Sequence, residues 1–137
     1  MKRFTSLLVL LFGLGMSTLA FAAKELMDPP PVGIPAGISE KELVKQIKKA
    51  FVGRNWTVEK VEDGAVKGTL YIRTHVARVS ANYDKEKVTF TYISSENLDY
   101  KEKKGKRLIH KNYNSWVVNV RNDLHKNLQL EAMEIEE

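Results

Sequence analysis

The sequence predicts an α+β fold: a four-stranded antiparallel meander sheet with an N-terminal and a C-terminal helix packed on one face, in the order α-β-β-β-β-α. Three observations point there. Apolar residues recur at helical spacing from residue 43 to 51, alternate with polar ones from 56 to 93, and return to steps of three or four from 109 to 128. A sheet with one apolar face needs a cover, and two amphipathic helices supply it.

Ser39 and Glu42 announce the first helix with the Ser-x-x-Glu spacing of a capping box, and Ile38 and Leu43 are placed for a hydrophobic staple. Leu43, Val44, Ile47, Ala50 and Phe51 then form one apolar face, with Gly53 as a suitable terminator. The outer face carries Lys41, Lys45 and Lys48 in line, with Lys49 beside them. A basic stripe of this kind fits an acidic partner or anionic lipid head groups, and it equally fits a plain solvated face.

Beyond residue 55 the period becomes two and the residues become β-branched and aromatic. Trp56 and Val58 alternate with polar neighbours, and Asp63-Gly64 is a strong hairpin turn. Val66, Leu70 and Ile72 line the second strand, with Gly68 between them. After a turn near Thr74 and His75, Ala77, Val79, Ala81 and Tyr83 line the third. Asp84-Lys85-Glu86-Lys87 makes the next turn, and Val88, Phe90 and Tyr92 close the sheet. The turn at 74–75 has neither Gly nor Asn, but an unbroken strand from Ala65 to Tyr83 would far exceed the usual length of about 3 to 10 residues. Residues 94–107 read as a polar connection. The second helix is a stripe of Ile109, Tyr113, Trp116, Val117, Val120, Leu124 and Leu128.

The termini set the compartment. Lys2 and Arg3, the apolar stretch from Leu7 to Leu14 and the small-residue end Ala20-Phe21-Ala22 make a secretory signal peptide cleaved after Ala22. Gly13, Gly15, Ser17 and Thr18 interrupt the apolar run, which argues against a membrane anchor. The expected organisation is a signal peptide over 1–22, a Pro/Gly-rich extended linker over 23–38, one α+β domain over 39–130 and an acidic tail over 131–137. The linker contains Pro29-Pro30-Pro31, Gly33, Pro35 and Gly37, a composition of a spacer rather than of a recognition motif. The chain has no cysteine, which excludes disulfides, thiol chemistry and acylation at a cysteine. A periplasmic product follows, not an integral membrane protein. Removing Lys2 and Arg3 lowers the formal charge from +5 to +3.

Two runs, Ser95-Glu96-Asn97-Leu98-Asp99-Tyr100 and Ile109-His110-Lys111-Asn112-Tyr113-Asn114-Ser115-Trp116-Val117, follow Arg73-Thr74-His75. In these runs the sequence resembles a family of small uncharacterised exported proteins of proteobacteria, over roughly residues 39 to 130. Many members carry a lipoprotein cysteine at the signal end, which this chain lacks. The resemblance implies the fold class and the compartment, and it implies no activity, substrate or cofactor.

No catalytic or metal-binding motif stands out, and no cofactor is expected. His110 and His125, fifteen residues apart on one expected helix, would lie about 22 Å apart and could not share an ion. Ser94 and Ser95 lack the Gly-x-Ser-x-Gly elbow of hydrolases. The candidate polar site is Ser95, Asn97, His110 and Asn114: either a small pocket, or groups that tie the connection to the second helix by hydrogen bonds. The candidate basic surface is Lys41, Lys45, Lys48 and Lys49 with Lys103, Lys104, Lys106 and Arg107. Nucleic acid suits the charge but no binding motif accompanies it. The expected function is a non-catalytic interaction or binding module of the cell envelope, meeting an envelope protein or an anionic surface. The alternative is a small periplasmic ligand-binding protein or enzyme with a polar pocket near His110.

Overall fold

The computed structural model of the chain describes residues 23–135, so the expected signal peptide and the last two glutamates lie outside the described residues. The elements run β1 (Ala23–Glu25), β2 (Val32–Gly33), α1 (Glu40–Gly53), β3 (Trp56–Glu62), β4 (Ala65–Ile72), β5 (His75–Tyr83), β6 (Lys87–Glu96), β7 (Lys101–Lys103), β8 (Lys106–His110) and α2 (Tyr113–Ile135). The class is α+β, and β3 to β6 pair consecutively and antiparallel, as the alternation requires. The sheet nevertheless has five strands, in the order β2-β6-β5-β4-β3, and a second sheet of three strands has the order β1-β8-β7. The four-stranded expectation is corrected on both counts. The added strands are short or charged, so no apolar alternation marks them. The hairpin signal was Lys104-Gly105, whose φ angles of 53° and 79° are those of a tight two-residue turn between β7 and β8.

Trp56, Val66, Leu70, Ala77, Val79, Ala81, Val88 and Phe90 are buried on one face of the larger sheet and pack with α1 and α2. Ser39 caps α1, its Oγ accepting from the N–H of Glu42 at 3.1 Å. The reciprocal half of the capping box is absent, because the Glu42 carboxylate accepts from Gln46 Nε2 instead. The helix is ended by Asn55 in the left-handed region, φ 69°, rather than by Gly53. Phe51 seats α1 on the sheet: its ring lies tilted against Trp56 at 5.5 Å and edge-on to Phe90 at 6.0 Å. A Cβ at Gly68 would come within 2.8 Å of that ring, which explains a glycine in the middle of β4.

The segment expected as a spacer is a strap stitched to the body along its length. β1 pairs with β8, Ala23 opposite His110, and β2 pairs with β6, Val32 opposite Val88. One run of chain therefore joins an edge of each sheet. Between the two strands Leu26 and Val32 are buried, Arg107 lies 3.7 Å from Asp28, and Arg121 donates to the carbonyls of Pro30 and Pro31. Proline keeps this stretch extended as foreseen, but its carbonyls and apolar side chains are used for docking. The other end is corrected too: residues 131–135 continue α2 instead of forming a tail, and the Ile135 side chain packs against Gly37. No helix among the described residues is long and apolar enough to cross a membrane.

Candidate functional site

Three stretches of the sequence, 73–75, 95–100 and 109–117, meet in space. The β4–β5 turn holds Arg73 at φ 57°, and the loop after β6 holds Asn97 and Asp99 at φ 56° and 54°. Asn and Asp tolerate this conformation better than other residues with a Cβ. The two left-handed residues bracket Leu98, which is buried, and the Leu98 carbonyl accepts from the N–H of His110 at 2.8 Å. Asn97 Nδ2 donates to Thr74 Oγ1 at 2.5 Å, and His75 Nδ1 lies 2.6 Å from the Asn97 carbonyl.

These contacts fix both imidazole tautomers. A carbonyl oxygen only accepts, so His75 carries a hydrogen on Nδ1. His110 Nδ1 accepts from the N–H of Asn112 at 3.1 Å, so its hydrogen is on Nε2. The ring centroids are 5.1 Å apart, and Trp116 lies 6.2 Å from each, nearly parallel to His110 at 13°. His110 is on β8, not in the first turn of the second helix, because the helix begins at Tyr113. His110 and Asn114 therefore stand on different elements.

The remaining polar residues also find partners within the chain. Ser95 Oγ is 2.7 Å from the Tyr92 hydroxyl. Tyr92 in turn stacks on Tyr100 at 4.6 Å and meets Tyr113 edge-on at 5.7 Å. Burial raises the Tyr113 phenol pKa well above its ordinary value. The Asn114 amide clamps the strap, its Oδ1 accepting from Met27 N–H at 3.1 Å and its Nδ2 donating to the Glu25 carbonyl at 2.9 Å. No group of three or more His, Cys, Asp or Glu able to hold a metal exists among the described residues. His75 is the member the candidate polar set omitted. Its signal was its phase with Ala77, Val79 and Ala81, which puts it on the helix-covered face of the sheet.

The basic candidates divide into two surfaces. Lys103, Lys104 and Lys106 crown the β7–β8 hairpin, while Arg107 faces Asp28 of the strap and its carbonyl accepts from Leu26 N–H. Lys41, Lys45, Lys48 and Lys49 are exposed on α1, which packs over β3 and β4. Every ion pair among the described residues lies elsewhere: Arg54 with Asp123, Lys60 and Lys67 with Glu62, Arg78 with Glu96, and Arg107 with Asp28. Beside α1 runs a groove of about 910 Å³ with Lys41, Lys45 and Lys48 on its wall and Val44 and Val61 among its lining residues. Tyr83, at its end, donates to the Glu40 carboxylate at 2.8 Å. A smaller crevice of about 200 Å³, lined by Trp56, Leu70, Ile72, Trp116 and Asn119, borders the histidine cluster. Searches of protein-family models, of curated proteins and of solved structures find no match to this chain.

Proposed function

We propose that the chain is a non-catalytic binding module of the cell envelope that docks an anionic partner on the lysine flank of α1. The observation that carries this reading is the electrostatics of Lys41, Lys45, Lys48 and Lys49. They are exposed, they have no carboxylate at ion-pair distance among the described residues, and they sit against the helix's own preference. Lys41 lies in the first turn, where the helix dipole favours acids. Lys41–Lys45 and Lys45–Lys49 are like charges four apart, an arrangement that weakens a helix. A cost of this kind is balanced when an anion meets the flank. The signal-peptide pattern of residues 1–22 supports a partner met outside the cytoplasm. The polar cluster near His110 supports this reading from the other side: its side chains are engaged in holding loops and strap.

The test is retention of the chain on envelope material at low and at high ionic strength, with the triple variant Lys41→Glu, Lys45→Glu, Lys48→Glu as the comparison. Binding weakens steeply with salt and disappears in the variant, since exposed charges are screened beyond about 8–10 Å at physiological salt. Capture that is indifferent to salt and to the charge reversal overturns the proposal.

A further inference from the structure

Three features of the fold meet in the groove between α1 and β3. The first is the lysine wall, Lys41, Lys45 and Lys48. The second is apolar surface beside it: Val44 and Val61 line the groove, and Val61 is 46% exposed. The third is a free sheet edge, because among the described residues β3 has a partner on one side only. Its outward N–H and C=O groups have no strand to bond.

We propose that the groove takes an extended acidic segment of another protein, one chain wide; this rests on the anionic-partner reading above and names the class of partner. Spacing supports an extended chain. Lysines four apart on a helix are separated by about 6 Å along its axis, and alternate residues of a strand by about 6.6 Å. Acidic residues at every second position of a strand added to β3 turn to the helix-covered face, where Val61 and the lysines lie, and so reach successive lysines, while the intervening side chains turn to the other face of the sheet. The free edge of β3 adds backbone pairing, which a helical ligand cannot use. The bulge between Val58 and Lys60 confines that pairing to Lys60–Glu62, and this limits open-ended growth of the sheet by copies of the chain. A membrane fits less well. Glu40, Glu42 and Glu62 line the same groove, so a continuous anionic surface meets all three, and each is engaged within the chain, Glu40 by Tyr83, Glu42 by Gln46 and Glu62 by Lys60 and Lys67.

The experiment measures fluorescence anisotropy of a labelled Glu-Val-Glu-Val-Glu-Val peptide with the purified chain. The scrambled Glu-Glu-Glu-Val-Val-Val peptide and phosphatidylglycerol vesicles are run beside it. The alternating peptide binds in a salt-sensitive way; binding falls at least tenfold with Lys45→Glu and with Val61→Asp, and it is unchanged with Lys103→Glu/Lys106→Glu. Equal binding of the scrambled peptide, or equal loss in the hairpin variant, overturns the proposed groove. Lysine-dependent binding of vesicles without binding of peptide overturns the peptide proposal and leaves the anionic-partner reading standing. Absence of binding to either probe, or indifference to Lys45→Glu, overturns both. Thermal melting of each variant separates loss of binding from loss of fold.

Discussion

Two polar regions of this molecule are built on opposite principles. Around His75 and His110 the polar side chains are answered from within: Asn97 by Thr74, His75 by the Asn97 carbonyl, His110 by Asn112, Asn114 by the strap. Along α1 four lysines are answered by nothing among the described residues, and they repel one another at helical spacing. A histidine and asparagine cluster draws the eye as chemistry, yet here its bonds are those of a joint that holds two loops and a strand in register. The plain lysine face is the one whose arrangement the fold does not explain. Self-sufficiency of hydrogen bonding separates structural polar residues from those available to a partner.

The sharpest way to break the comparison is to disturb the seat of α1 itself. Gly68→Ala drives a Cβ into the Phe51 ring, an overpacking that costs about 1–3 kcal/mol. It shifts the helix that carries the lysines, so chemical denaturation shows lower stability and the acidic peptide binds more weakly. Asn114→Ala loses both clamps on the strap, each a solvent-exposed bond worth about 0.5–1.5 kcal/mol net at most. Hydrogen exchange then accelerates at Leu26 and Met27 while peptide binding is unchanged. If the strap stays protected, the amide is not what holds it.

Asn97 tests the joint more finely. Asn97→Ala keeps an unfavourable left-handed backbone, worth about 1–2 kcal/mol, and also loses the bond to Thr74. Asn97→Gly relieves the backbone and loses only the bond, so it melts above the alanine variant. Melting that is unchanged in both, with binding lost, would reverse the roles assigned to the two regions.

The elements that sequence made legible are those with a period and a buried face. Leu43, Ile47 and Phe51 located α1, and the alternation of Val66, Leu70, Ala77, Val79, Val88 and Phe90 located the meander; the turn expected at 74–75 lies one residue earlier, at Arg73-Thr74, because His75 already pairs with Ile72 in β5. What stayed hidden was set by pairing at a distance. β1 and β2 are two or three residues long and become strands only because β8 and β6 offer edges. Ile109 is in phase with the second helix but belongs to β8, because apolar spacing cannot show where a strand hands over to a helix. The polar set was therefore chosen with three members in the right neighbourhood. Asn114 went to the wrong task, and His75 was left out because its partner Asn97 is twenty-two residues away.

Smaller effects come from the carboxylates that steady α1 and its surroundings. The hydrogen bond from Arg54, which ties the end of α1 to α2, holds the Asp123 carboxyl below its ordinary range, and backbone N–H groups of Glu86 and Lys87 do the same for Asp84. The folded state thus binds these protons less readily than the unfolded state. Their stabilisation is present at neutral pH and is lost as pH falls below about 4, through the depressed folded values. Both sites are open to solvent, so the loss is modest and shrinks in salt. Asp123→Asn flattens the acid limb of a stability–pH curve; an unaltered limb means the pair contributes nothing.

The smallest expected change in stability is the most informative about the lysines. Lys45→Gln removes like-charge contacts with both Lys41 and Lys49 on an exposed helix face, each worth about 0.2–0.5 kcal/mol. The denaturation midpoint therefore rises slightly while affinity for the acidic peptide drops. Residues kept for the fold behave in the opposite way: their loss lowers stability first and alters binding only through it. A lower midpoint in Lys45→Gln would mean that the α1 flank serves the chain's own stability, and the contrast with the His75–His110 joint would disappear.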